Sequence, residues 1–477
     1  MVKLFNQISF SDTYEECKDV FQNDKPKFLE LLSQHLDLSS LIPQEFYWSY
    51  HKTLGRDRTY SLTSMLAALI LQKILGIPTV SLLIIFLTLC REAREFCGLS
   101  SVPHNSQFTR FKQDFAADLE NLFSQLVDIT EPICQKIDPV LASTIAYDTS
   151  GIEAFVTENN PKFINSIIKK LKAYYKDNPD VDVYKMAYGL MPSSASANSE
   201  IKQLYINGYF CYVYKFGIIT NGLGIPRHIA FLDNDFKQKH PEMHIKKKSD
   251  SPYEDKSISD SKSLKPVLAD FFTLHPDFKP HTFLGDSIFD TCNTYTLLLD
   301  KFKFQRALIP LNSRNSNPDL PPIKYNNDGW PLCFKDPSVP MKPNGWSREE
   351  GRNERFKWRC PQAKRINRKW ITSCEDPCNG KPCGRVTFTS PTLDKRMFPG
   401  EIRGSDHWIS DYKIRAVVEK NIQYLKEPMA CGNLKTRDNL TIKADLYLAG
   451  ITQLVTVIVA DKLHEYRYIR SLKPLIA

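Results

Sequence analysis

The chain has 477 residues, of which 42% are hydrophobic and 25% charged, and carries a formal net charge of +9. That composition excludes global disorder, and that length exceeds a single small core, so about two to four domains are expected. Met1 to Phe10 lacks a basic region followed by a long apolar run, so no secretory signal is read there. The 12 cysteines are therefore expected to be reduced thiols of a soluble, cytoplasmic protein and not a disulfide framework.

Residues 1–140 read as an all-α domain. Apolar side chains recur at helical spacing through Phe28, Leu31, Leu32 and Leu36, then more densely from Leu62 onward. The most apolar region, Met65 to Leu89, is interrupted by Lys73 and Pro78. It reads as two helices and not as a membrane span of about 20 apolar residues. Ser61 or Thr63 suits the cap of the first helix, and Pro78 suits the opening of the second. Asn105 or Ser106 suits the cap of a short helix carrying Arg110 and Lys112. Short helices ending in a basic one fit a helix-turn-helix DNA-binding module, and a helical bundle with surface charges fits the same spacing.

Residues 141–310 change pattern. A β-branched run ends on Asp148 and is closed by Thr-Ser-Gly, as expected of a strand running into a turn. A polar insertion, 157–205, follows. Aromatic and β-branched runs on either side of Asn221-Gly222 then predict a hairpin. After a polar loop from Asn234 to Ser263 come a helix, a short strand ending at Asp286, a second helix and a strand over Phe304–Pro310. Hairpin, helix, strand, helix, strand is the ordering of a ribonuclease-H-like α/β core, in which Asp148 and Asp286 lie side by side. Taken singly, an Asp before a turn is more often a turn former than a ligand.

Residues 311–404 form a β-rich, basic insertion. Five of the six tryptophans lie between Trp330 and Trp408, and from Met341 to Gly400 there are 14 Lys plus Arg against 6 Asp plus Glu. Such a surplus is expected to face a polyanion, with Arg and Trp meeting phosphates and bases; equally, the tryptophans supply the core of a small β domain. Cys360, Cys374, Cys378 and Cys383 have a spacing that admits a tetrahedral Zn²⁺ site, with Cys333 able to replace Cys360. Free thiols fit the spacing as well.

Residues 405–477 hold the stretch from Tyr412 to Lys426. It contains no Gly or Pro, and Pro428 lies just beyond it, so it reads as a helix. On that helix Tyr412, Arg415, Glu419 and Lys426 fall within roughly 60° of one another. A solvated, salt-bridged face would give the same stripe. A long apolar helix after Asn439, with Tyr447, Ile451, Leu454, Val455 and Ile458 on one face, is expected to cover the sheet.

Asp148, Asp286 and Glu419 thus come from three separate elements. Phosphodiester cleavage requires charge neutralised on the scissile phosphate and a deprotonated nucleophile in line. Two divalent cations about 3.5–4 Å apart supply both, and such hard cations take carboxylate oxygens.

The spacing Tyr412, Arg415, Glu419, Lys426 matches the Y-(2)-R-(3)-E-(6)-K signature of insertion-sequence transposases. With YDTSG around Asp148 and GDSIFD around Asp286, the chain resembles a DDE-type transposase over roughly residues 60–465. The segment from Gly98 to Lys112 also resembles the N-terminal domain of many such enzymes. The resemblance implies an α/β fold: a ribonuclease-H-like core, a β-rich insertion before the last catalytic Glu, and an all-α domain in front. It implies Asp148, Asp286 and Glu419 as catalytic ligands of two Mg²⁺ (or Mn²⁺) ions, and DNA contacts from Tyr412, Arg415 and Lys426. Asp290 is expected to be structural. The implied partners are double-stranded DNA, as element ends and target, and a second copy of the chain, with no membrane and no small-molecule substrate. The implied location is cytoplasmic, at the nucleoid when DNA-bound. The implied reaction is cleavage at the ends of a mobile element and transfer of the freed 3′-hydroxyl into target DNA. Two alternatives are an inactive transposase-derived DNA-binding protein and a ribonuclease-H-like nuclease without strand transfer.

Overall fold

The computed structural model describes residues 27–476 apart from 52–56, 179, 207, 244–257, 316–323, 348, 352–353, 391–393 and 398–400. The chain divides into two units. A helical unit gathers Met1–Ile133, Gly151–Tyr214 and Gln423–Ala477, and a sheet unit gathers Cys134–Ser150 and Lys215–Ile422. In chain order the strands are β1 (Thr144–Glu153), β2 (Ser194–Ala195), β3 (Asn198–Ile206), β4 (Tyr209–Asn221) and β5 (Pro226–Phe231). Then come β6 (Thr282–Leu284), β7 (Arg306–Leu308), β8 (Lys342–Ser347), β9 (Arg355–Arg359), β10 (Ala363–Ile366), β11 (Lys369–Thr372) and β12 (Val386–Thr389).

In the sheet unit the order is β5-β4-β1-β6-β7, with β5 antiparallel to β4 and with β6 and β7 parallel to β1. The fold is mixed α/β. The helix Asp260–Leu274 turns Leu264, Val267, Leu268 and Phe271 onto Ile145, Ile219 and Phe283, which gives the sheet one apolar face to bury. Tyr147 reaches through this core to Ser263, hydroxyl to hydroxyl at 2.7 Å. Gly217 makes room for it, since a Cβ there would lie 2.6 Å from the Tyr147 hydroxyl.

β1 does not stop at Asp148, as the Thr-Ser-Gly sequence suggested, but continues through Gly151 to Glu153. In the helical unit a Cβ on Gly151 would lie 2.5 Å from Val213 Cγ2, so this glycine permits close packing inside a strand and makes no turn. The loop residues 244–257 lie outside the described residues. The 157–205 segment is ordered into the helices Pro161–Tyr174 and Val183–Gly189, followed by β2 and most of β3.

The β-rich insertion holds the sheet β12-β9-β8 and the separate pair β10-β11. Its core is Met341, Phe356 and Trp358, with Trp330 packed against it. Trp330 and Trp358 are therefore core residues. Trp346 is exposed, Trp370 lies beneath the Arg359 guanidinium, and Trp408 is buried.

In the helical unit Ser61 caps the helix Leu62–Leu75 by accepting from the Ser64 amide at 3.0 Å. Gly76 ends it at φ 69°. Thr79 caps Val80–Leu89, and the two helices are bent by 101°. The helix Asn105–Asp114 is capped by His104 and not by Asn105 or Ser106. Its ring nitrogen accepts from the Ser106 amide, and the Gln107 side chain accepts from the His104 amide.

The helix Asn439–Lys462 is long and apolar enough to cross a membrane, yet 94% of its apolar window is buried inside the protein. Within the helical unit it packs chiefly on Leu62–Leu75 and Asn105–Asp114, and every residue from Ala444 to Ala460 is buried. Apolar residues on all its sides, and not one stripe, account for this central place.

Asp445, midway along that helix, meets two buried amines. Lys73 Nζ and Lys112 Nζ each lie 2.8 Å from Asp445 Oδ1, and the Cys431 thiol is 3.7 Å from Lys73. Burial opposes every charge here. Asp445 nonetheless holds Lys73 above its usual pKa, whereas burial, with Lys73 beside it, pushes Lys112 down. Of the two bases expected to face DNA from the Asn105–Asp114 helix, Arg110 is exposed and Lys112 is sealed inside.

Candidate active site

The parallel register of β1 and β6 pairs Thr144 with Thr282, Ile145 with Phe283 and Ala146 with Leu284. Continued two residues, the same register sets Asp148 beside Asp286, on strands spaced about 4.8 Å apart. Asp148 stands within β1, where its Oδ1 accepts from the Thr149 amide at 2.8 Å. Asp286 lies just past β6 and accepts from the Ser287 amide at 2.6 Å, capping the turn Ser287–Phe289. Rigid backbone thus fixes both carboxylates while leaving them accessible.

The third acid comes from the expected helix, which differs in detail from the sequence reading. It begins at Asp406, capped by Ser405, and runs to Tyr412. It then tightens into a 3₁₀ turn over Lys413–Arg415 and resumes as Ala416–Lys426. Arg415, at the end of the tight turn, reaches all three acids. Its Nη1 lies 2.7 Å from Glu419 Oε1, and its Nη2 lies 3.5 Å from Asp148 Oδ2 and 3.9 Å from Asp286 Oδ2. The Arg415 side chain is 14% exposed, against 52% for Asp286 and 56% for Glu419.

Three carboxylates around one guanidinium leave an excess of two negative charges. Asp148 shows the strain most. Burial raises its pKa to about 6; the Thr149 amide and Arg415 oppose this, and Glu419 and Asp260 add to it. Tyr412 stacks on Trp408, with ring centroids 4.7 Å apart, and donates to the Gly285 carbonyl at 3.3 Å beside Asp286. Burial and the nearby acids push its phenol up to about 12, against the pull of Arg415.

Two participants escaped the sequence reading. Asp260, at the start of its helix, accepts from Thr149 Oγ1 at 2.5 Å and pairs with Lys215 Nζ at 2.5 Å, so a fourth carboxylate and a lysine flank Asp148. An acid in a first helical turn looks like any other, and no local signal sets Asp260 apart.

Asp290 has the structural place expected of it. It is fully buried and binds Arg396 Nη2 at 2.9 Å, Arg403 Nη2 at 3.0 Å and the Tyr295 hydroxyl at 3.1 Å. This hub ties the end of the insertion to the turn that follows Asp286.

Lys426 belongs to the helical unit, where it is half-buried; burial lowers its pKa, while Cys211 and Glu153 nearby raise it.

The donor set Asp148, Asp286 and Glu419 is all carboxylate and under-compensated, which suits hard divalent cations. Among the described residues, however, no group of three or more His, Cys, Asp or Glu side chains converges tightly enough to hold a metal ion. At the acids the Arg415 guanidinium stands between them. In the insertion the thiols turn to separate partners: Cys360 to the Thr372 hydroxyl, Cys374 to the Asp376 carbonyl and Cys383 to the Gly384 carbonyl, with Cys378 exposed. Among the described residues, the structure does not gather the candidate zinc ligands, and the free-thiol alternative fits.

Fold and site together define a mixed α/β protein with an arginine-bridged acidic cluster over adjacent parallel strands. Residues 15–114 match the family described as "Transposase domain (DUF772)". That match supports a transposase, an enzyme acting on DNA, and it ends at Asp114, before Asp148, Asp286 and Glu419. No curated protein matches the chain.

Proposed function

We propose that the chain is a DDE-type transposase with a ribonuclease-H-like core, cleaving the ends of a mobile element and joining the freed 3′-hydroxyl to target DNA. The observation that carries this reading is that one guanidinium lies within ion-pair reach of Asp148, Asp286 and Glu419 together. The strand order β5-β4-β1-β6-β7 and the match of residues 15–114 support it.

In this reading Asp148, Asp286 and Glu419 would hold Mg²⁺ or Mn²⁺, two per site, with Arg415 displaced toward the DNA. Such ions would supply charge neutralisation at the scissile phosphate and a lowered pKa for the attacking water or hydroxyl. The protein's own contribution is positional. β1 and β6 fix two carboxylates in register, Tyr412 braces the Gly285 carbonyl next to Asp286, and Arg415 supplies a cation to a phosphate oxygen. Lys426 contacts DNA further along. The enzyme works as a homodimer on DNA in the cytoplasm, joining two ends.

Incubation of the protein with a plasmid carrying the element's ends and Mg²⁺ or Mn²⁺ tests this. End-specific breaks are expected. Asp148→Ala, Asp286→Ala and Glu419→Ala should each cut about a thousandfold less or worse, the scale of losing one preorganised electrostatic group, with DNA binding kept. Wild-type cleavage by any of the three would remove that residue from the site.

A further inference from the structure

β10 and β11 form a two-stranded ribbon that, among the described residues, pairs with no other strand. Asn367 and Arg368 join them with φ of 49° and 64°, the left-handed pair of a two-residue hairpin turn. The register opposes Ala363 to Thr372, Lys364 to Ile371, Arg365 to Trp370 and Ile366 to Lys369.

Side chains alternate between faces, so Ala363, Arg365, Trp370 and Thr372 share one side and Lys364, Ile366, Lys369 and Ile371 the other. The first side is anchored. Ala363 is buried, the Arg359 guanidinium sits 4.3 Å over the Trp370 ring, and the Thr372 amide donates to the Pro382 carbonyl at 2.7 Å. The second side is open, with Ile366 51% and Ile371 44% exposed.

Lys364, Arg365, Arg368 and Lys369 are all exposed, and no Asp or Glu occurs from Ala363 to Thr372. Among the described residues, no carboxylate pairs with any of the four. Four like charges on one short ribbon repel one another in the free protein, and a polyanion would relieve that. Phosphate contact alone gives no reason for two exposed isoleucines between the lysines.

Dimensions supply the reason. Two strands about 4.8 Å apart, reaching about 13 Å over four residues, match a major groove about 12 Å wide and 8.5 Å deep, which admits a β-ribbon. We propose that the Ala363–Thr372 ribbon is a DNA arm that enters the groove of a duplex. Lys364, Arg365, Arg368 and Lys369 meet the phosphates of the groove walls, and Ile366 and Ile371 meet base edges such as thymine methyls on its floor. The proposal rests on the reading of the protein as DNA-acting and adds the surface that holds the duplex.

The test uses the full chain, a labelled 30-base-pair duplex (a probe length of about three turns) and fluorescence anisotropy over a range of NaCl. The variant carrying Lys364→Gln, Arg365→Gln, Arg368→Gln and Lys369→Gln should bind at least about tenfold more weakly at 0.1 M salt. Its slope of log affinity against log salt should flatten by about three to four, at roughly 0.9 per lost phosphate contact. Ile366→Ser with Ile371→Ser should weaken binding severalfold and leave the slope unchanged, because no phosphate contact is lost. Thermal melts matching wild type would show both variants folded; should the first melt early, the isoleucine variant carries the test alone. Wild-type affinity and slope in the first variant, or wild-type affinity in the second, would overturn the arm while leaving the transposase reading intact. A wild-type protein that binds no duplex would instead defeat that reading itself. Binding to phosphatidylserine vesicles, tighter than to DNA and lost in the first variant, would overturn the assignment of DNA as the partner.

Discussion

In the sheet unit one arginine faces three carboxylates, whereas in the helical unit one carboxylate faces two lysines. Arg415 with Asp148, Asp286 and Glu419 is open to water on the side of Asp286 and Glu419. Lys73 and Lys112 with Asp445 are closed off entirely. The same kind of imbalance therefore means different things. An open excess of negative charge is a capacity to take up cations, and water screens it until they arrive. A sealed excess of positive charge has no such recourse, so the helical unit bears its cost and depends on the single acid that offsets it. Unbalanced charge marks a binding site only where solvent and ligand can reach it.

The largest expected difference between the clusters is functional. Removing any of the three open acids is expected to abolish cleavage and to change the melting temperature little. Removing the sealed acid should do the reverse. Asp445→Ala leaves two buried amines without a counter-charge and should cost about 3–5 kcal/mol of unfolding free energy, read by denaturant titration. A loss below about 1 kcal/mol would mean that one lysine is already neutral or escapes to water.

Acid should separate the two further. His228, buried within β5, has its pKa pushed down to about 3 by burial, with His275 adding to the effect. Its unfolded form takes up a proton near pH 6.5, so stability is intact above that pH and falls as pH drops from about 6.5 toward 3. The expected slope is about 1.4 kcal/mol per pH unit. His228→Leu should flatten this limb in a urea titration repeated from pH 7 to 4; an unaltered slope would assign it to other groups.

The smallest effect concerns the open arginine. Arg415→Ala should weaken binding to the element's ends and lower the salt slope by about 0.9, the share of one phosphate contact. Calorimetry on the free variant should also show tighter Mg²⁺ uptake, since the cation between the acids is gone. Looser uptake would mean that Arg415 positions the acids and does not compete with the ion.

Much of the open cluster was legible in the chain because each part has a local mark. Asp148 closes a β-branched run, Asp286 ends a short strand, and Arg415 and Glu419 are one helical turn apart, so spacing alone brings the last two together. What stayed hidden depends on distant partners. Lys112 looked like a DNA-facing base because its acid lies 333 residues away. The packing of the Asn439–Lys462 helix on Leu62–Leu75 and Asn105–Asp114 could not be read, because an apolar pattern announces burial without naming the neighbour. Gly151 read as a turn, since sequence shows a missing Cβ but not the Val213 methyl that requires its absence. Asp260 and Lys215 carry no mark of their own.

The distance from Lys112 to Asp445 also sets an order on biosynthesis. Ribosomes add about 5–20 residues per second, so the aspartate emerges roughly 20 seconds to a minute after the second lysine. Throughout that interval the nascent helices can close only by burying two ammonium groups with nothing to neutralise them. The helices that carry Lys73 and Lys112 are thus expected to stay open until Asp445 has emerged, and it is there that chaperones have most time to act.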